Sequence, residues 1–150
     1  MKKRILIVDD DPSIRRSLKK LLTSANYDVR VAADGFEAIE QFFAEPADLL
    51  LLDLSMPGKD GWAVSENIIR TNPYVPTIIM TGLSDQFSIA QAAGAGALLE
   101  KPLDPEELLR VIEDLINEPR SHHWLRRRQW LPDAGTVPST RYSPRACEKN

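Results

Sequence analysis

LLLLDLSMPGKDG, residues 49–61, joins four successive leucines to a single carboxylate, Asp53, and then to a Met-Pro-Gly turn ahead of Gly61-Trp62. Four apolar residues without alternation describe a strand covered on both faces, the pattern of a parallel sheet flanked by helices. In such sheets ligands and reacting groups gather beyond the carboxyl ends of the strands. Asp53 stands where a site is expected, and the other strands decide whether it stands there alone.

Working toward the N-terminus, residues 4–9 (RILIVD) form a second buried strand, and Asp11-Pro12 supplies a helix N-cap followed by proline at the first helical position. The helix that follows turns Ile14, Leu18, Leu21 and Leu22 to one side and ends near Asn26. Residues 28–35 (DVRVAADG) alternate, as expected of a strand near an edge, and Gly35 opens a helix with Phe36, Ile39, Phe42 and Phe43 turned inward.

Toward the C-terminus, a helix from Gly61 carries Val64, Ile68 and Ile69 inward until Asn72-Pro73 stops it. Residues 76–82 (PTIIMTG) form a β-branched strand, and a short helix is expected around 85–93. ALLE, within AGAGALLEKP, is the last strand. Asp104-Pro105-Glu106-Glu107 has the form of a capping box and introduces a helix with Leu108, Ile112, Leu115 and Ile116 on one face. Five alternations of strand and helix predict an α/β fold with a parallel sheet and right-handed crossovers.

Length and charge narrow the classes further. The 150 residues suffice for one domain with a real core and an appendage. Residues 1–118 carry 12 Lys/Arg against 20 Asp/Glu, whereas residues 119–150 carry 7 against 2, so an acidic domain is followed by a basic segment. The single cysteine, Cys147, excludes an intramolecular disulfide framework. The apolar stretch of MKKRILIV ends after four residues, too short for a signal peptide, and no run reaches membrane-spanning length, so a soluble, cytoplasmic protein is expected.

Parallel strands bring their terminal residues to one edge: Asp9 and Asp10 after the first strand, Asp53 after the third, Thr81 after the fourth and Lys101 after the fifth. At ~5 Å spacing and an effective dielectric near 20, each pair of carboxylates repels by about 3 kcal/mol, so the cluster calls for a cation or a retained proton. Oxygen donors alone, with no histidine or cysteine nearby, suit Mg²⁺. Lys101 adds a point charge and Thr81 a hydroxyl. Together these groups would stabilise a phosphoryl group passing in line onto a carboxylate oxygen.

These residues make the chain similar to the receiver domain of two-component response regulators over roughly residues 1–118. The resemblance rests on the acidic pair, on Asp53 with Met56-Pro57 and Asp60-Gly61 behind it, on Thr81, and on Lys101-Pro102 after the AGA stretch at 93–95. It implies a flavodoxin-like, doubly wound five-stranded sheet of order 2-1-3-4-5. It implies Asp53 as phosphoacceptor, and Asp9, Asp10, Asp53 and the backbone carbonyl of Ser55 as Mg²⁺ ligands. Lys101 would pair with the acyl phosphate and Thr81 would swing toward it. Implied partners are a sensor histidine kinase or histidine phosphotransfer protein, a downstream effector, and a homodimer mate on the face of the fourth helix, fifth strand and fifth helix. The chain would be a switch that catalyses only its own phosphorylation and dephosphorylation.

Three departures stand out. Leu98 occupies the position, three residues before Lys101, where the family usually carries an aromatic. The stretch between Thr81 and AGA is about two residues shorter than usual, and Gly82 leaves room beside Thr81. Two other classes compete with a switch. A phosphohydrolase of the haloacid dehalogenase type also uses a strand-end aspartate with Mg²⁺, but its second aspartate is replaced here by Ser55. A scaffold that never switches would keep the fold without the chemistry. Residues 119–150, with Arg126–Arg128 between Trp124 and Trp130, are expected to be a flexible or loosely docked tail, too short for a customary DNA-binding output domain, so contact with nucleic acid is not expected.

Overall fold

A computed structural model of the chain describes residues 2–53, 67–68, 70–72, 74–82, 95–119 and 122. Elements are numbered among these residues. They run β1 (Arg4–Val8), α1 (Pro12–Ser24), β2 (Asp28–Ala32), α2 (Gly35–Ala44), β3 (Leu49–Asp53), β4 (Thr77–Thr81), β5 (Ala97–Glu100) and α3 (Pro105–Asn117). The strands form one sheet of order β2-β1-β3-β4-β5, parallel throughout. This is the doubly wound α/β arrangement expected from the alternation and from the resemblance.

Every residue of β3 and β4 is buried, as a strand covered on both faces requires. Side chains alternate between two cores. Ile5, Ile7, Leu49, Leu51, Ile78 and Met80 meet α1 and α3 on one side of the sheet. Leu6, Val8, Leu50, Leu52 and Ile79 meet Ala38 and Phe42 of α2, together with Ile68, on the other. Full burial of each β3 leucine contributes roughly 2 kcal/mol, so the run anchors the fold and holds Asp53 at its end.

Helix termini follow the local chemistry. Asp11 caps α1 by accepting from the Ser13 N–H (2.9 Å), with Pro12 at the first position. α1 ends in a Schellman motif: Tyr27 N–H donates to the Leu22 carbonyl and Asn26 N–H to that of Thr23, with Asn26 in the left-handed region (φ 75°). At α2, Asp34 accepts from the Glu37 N–H while the Glu37 carboxylate accepts from the Ala33 N–H, a reciprocal clasp not anticipated from sequence. At α3, Asp104 accepts from the Glu106 N–H (3.2 Å), and among the described residues no return bond from Glu107 completes a full capping box.

Two expectations need correction. β2 ends at Ala32 rather than 35, because Asp34 is taken as the N-cap of α2. Phe36 and Phe43 are 71% and 51% exposed instead of turned inward. The stripe of α2 that faces the sheet is Gly35, Ala38 and Phe42, and its small residues let the helix approach closely. Residues 67, 68, 70 and 71 are helical and Ile68 is buried, in keeping with the helix expected before Asn72. The expectations for Val64, Ile69, the helix at 85–93 and, apart from Pro119 and His122, the segment 119–150 lie outside the described residues.

Candidate functional site

Register brings the acidic groups together. Val8 pairs with Leu52, which sets the next residues, Asp9 and Asp53, beside one another at the carboxyl edge. Thr81 closes β4, and Lys101 follows β5 with its N–H donating to the Thr81 carbonyl (2.8 Å). Asp9, Asp53 and Thr81 are buried, whereas Asp10 is exposed at the mouth.

Carboxylate oxygens of Asp9, Asp10 and Asp53 all lie within 4.8 Å of one another. The Lys101 ammonium sits between two of them, 3.1 Å from Asp9 Oδ2 and 3.4 Å from Asp53 Oδ2. Asp9 is further held by the Asp11 N–H, which donates to its Oδ1 (2.9 Å). At an effective dielectric of 20 each lysine–carboxylate pair attracts by about 5 kcal/mol, and carboxylates at that spacing repel by about 3.5 kcal/mol. Among the described residues, this ammonium is the positive charge set against the three carboxylates.

Burial and the neighbouring charges move two of these groups. Burial pushes the Asp9 carboxyl above its ordinary range and the Asp53 charge adds to this; the Asp11 N–H and Lys101 pull the other way without cancelling it. For Lys101, burial pulls the ammonium down, but its hydrogen bond to Asp9 and the charges of Asp53 and Asp9 outweigh burial, and the net direction is up. Asp9 is thus a carboxyl whose burial outweighs the two groups that hold its charge. Three oxygen donors within reach of one ion, with no nitrogen or sulfur donor in the cluster among the described residues, fit a hard divalent cation such as Mg²⁺.

Asp9, Asp10, Asp53, Thr81 and Lys101, expected at one edge from sequence, are all brought there. Ser55 lies outside the described residues, as do Met56, Pro57, Asp60 and Gly61. Leu98 is half-buried and packs on the α2 side of the sheet. A Cβ added at Gly82 would meet no described atom within 4 Å; residues 83–94, which follow it, lie outside the described residues. Sequence inspection missed Arg15, whose guanidinium Nη1 donates to the Asp9 carbonyl (2.8 Å). The available signal was its place one turn into the helix that the acidic loop starts.

Comparison with known proteins agrees with this geometry. Residues 5–113 match the family model of the response regulator receiver domain. The chain is 42% identical over 117 residues to the probable transcriptional regulator ycf27 of Porphyridium aerugineum, covering 77% of this chain and 48% of that protein. It is 39% identical over 119 residues to the response regulator MprA of Mycobacterium ulcerans, covering 77% and 51%. The chain therefore spans about half the length of these curated relatives. Among solved structures it resembles a CheY-like receiver domain protein from Methanospirillum hungatei (33% identity, TM-score 0.73, 81% of this chain and 98% of that one). It also resembles TrrA from Thermotoga maritima in complex with Mg²⁺-BeF (34%, TM-score 0.70, 77% and 99%). The chain belongs to the response regulator receiver family, the switch module of two-component signalling.

Proposed function

We propose that Asp53 accepts a phosphoryl group, with Asp9, Asp10 and Asp53 holding Mg²⁺ and Lys101 neutralising the acceptor. The observation that carries this is the Lys101 ammonium bridging the buried Asp9 and Asp53 carboxylates at the ends of adjacent strands. A phosphoryl donor, by family a phosphohistidine of a sensor kinase or phosphotransfer protein, loses its P–N bond as an Asp53 oxygen forms the new P–O bond. Mg²⁺ would supply charge neutralisation to the phosphoryl oxygens at this site. As the Asp53 carboxylate gives up its charge to the new bond, Lys101 would pair with the oxygens of the phosphoryl group it has accepted. The backbone bond of Lys101 to Thr81 couples the end of β4 to that pairing, and the Thr81 hydroxyl is the donor we assign to the phosphoryl group.

The carbonyl of Ser55 is retained as a proposed metal ligand on the family pattern, and residues 119–150 as a basic appendage to the 1–118 module. The chemistry is confined to the protein's own aspartate, so its output is a changed contact with an effector or a second copy, and we place this action in the cytoplasm. No helix among the described residues is long and apolar enough to cross a membrane.

The test is incubation of the full chain with acetyl phosphate and Mg²⁺, followed by intact-mass measurement. One phosphoryl group is expected on the wild type, none on Asp53→Asn, and none in EDTA. A mass gain that persists in Asp53→Asn would remove Asp53 from this role. Multiple turnover of simple phosphate esters would instead favour a phosphohydrolase.

A further inference from the structure

We propose that Arg15 is a positioning residue for the divalent-cation site, fixing the peptide through which Asp10 enters the acidic cluster. This rests on the assignment of that cluster to a cation. Two of the three carboxylates are held by their side chains: Asp9 by Lys101 and the Asp11 N–H, Asp53 by Lys101. Asp10 is exposed, and its carboxylate accepts no hydrogen bond among the described residues. Its place within 4.8 Å of the other two depends on its backbone.

That backbone leaves the sheet at Asp9. The Asp9 N–H donates to the Ala32 carbonyl (3.2 Å), while the β1–β3 ladder closes one residue earlier at Val8 and Leu52. The Asp9 carbonyl has left the sheet ladder, and its partner is Nη1 of Arg15 at 2.8 Å. This carbonyl belongs to the same planar peptide as the Asp10 N–H, so anchoring it sets the direction in which Asp10 departs. Arg15 reaches it from the first turn of α1, where its own N–H donates to the Asp11 carbonyl (3.0 Å). Side chain and helix start therefore clamp both ends of the Asp9–Asp11 segment.

Positioning and simple electrostatics predict opposite signs. Arg15 is a permanent positive charge beside a cation site, so by Coulomb's law its removal strengthens Mg²⁺ binding. If it instead orients the donors, removal weakens binding, by 10- to 100-fold for outer partners of metal ligands in general.

The experiment is calorimetric titration of the full chain with MgCl₂ for wild type, Arg15→Met, Arg15→Gln and Arg15→Lys, with urea unfolding in EDTA to verify that each is folded. We expect the Mg²⁺ Kd to rise about tenfold in Arg15→Met and Arg15→Gln. Arg15→Lys, which keeps a donor and the charge, recovers most of the loss. The ratio persists at high KCl, where screening would erase a purely Coulombic effect. At saturating Mg²⁺ the rate of phosphorylation by acetyl phosphate returns to the wild-type value. Equal or tighter Mg²⁺ binding by both neutral variants overturns the role of Arg15. Absence of Mg²⁺ binding by wild type overturns the cation assignment itself and the inference with it.

Discussion

Replacing Lys101 by methionine removes the only ammonium within 4 Å of Asp9 and Asp53 among the described residues and keeps most of the side-chain volume. The two lost attractions amount to about 5 kcal/mol each at an effective dielectric of 20. Relief of lysine burial returns part of this, since the side chain is 23% exposed in the fold. The larger limit comes from proton uptake. When the repulsion exceeds the work of protonating one carboxyl, the site takes a proton instead, and at pH 7 this work is about 4 kcal/mol for an ordinary aspartate. Asp9 already lies above its ordinary value of 3.8, so the ceiling is lower. We expect Lys101→Met to lose about 3 kcal/mol at pH 7 in EDTA, within the range for breaking a buried pair. Because the limit is a protonation, the loss falls to about 1 kcal/mol near pH 5. Urea unfolding at both pH values measures this, and adding Asp53→Asn to Lys101→Met is expected to restore roughly half. A variant within 0.5 kcal/mol of wild type at pH 7, or a loss of the same size at pH 5, refutes the electrostatic account.

Asp9→Asn is expected to stabilise the Mg²⁺-free protein at neutral pH. The folded pKa of Asp9 is raised, so its ionised form disfavours the fold above that value, and the penalty disappears as pH falls toward 3.8. Unfolding free energies of variant and wild type in EDTA should converge as pH is lowered toward 4. Saturating Mg²⁺ should stabilise wild type by about 2.7 kcal/mol at a hundredfold excess over Kd, an increment largely lost in Asp53→Asn and measurable by thermal denaturation. Gly96→Ala should cost about 1–2 kcal/mol, because its Cβ would stand 2.9 and 3.0 Å from the buried Leu115 methyls; pairing it with Leu115→Ala should be less than additive in urea. Asn26→Gly should stabilise by a few tenths of a kcal/mol by relieving the left-handed backbone that ends α1, while Asn26→Val costs over 1 kcal/mol in the same assay.

The parts of the fold visible in sequence were those that depend on one-dimensional patterns. The leucine run of β3, the capped starts of α1 and α3 and the convergence of Asp9, Asp10, Asp53, Thr81 and Lys101 follow from periodicity, turn chemistry and the parallel sheet. Phe36 and Phe43 were misplaced because hydrophobicity favours phenylalanine for burial, whereas close packing against a sheet favours the neighbouring Gly35 and Ala38. Arg15 was invisible for another reason. Its partner is a main-chain carbonyl, and no residue type advertises which carbonyl will leave a sheet unpaired. Asp9 and Asp10 look equivalent as letters, yet one residue of displacement along the chain makes the first buried and charge-paired and the second exposed.

The alternation of β3 between two cores has a practical consequence for engineering. Leu49 and Leu51 face the layer of α1 and α3, and Leu50 and Leu52 face that of α2, while Asp53 ends the strand in step with Leu49 and Leu51. An exchange of one helical layer together with its own matching strand residues would leave the packing of the other layer against the sheet, and the Asp53 carboxylate at the end of β3, in register. Chimeras cut along the sheet rather than across the chain respect that division.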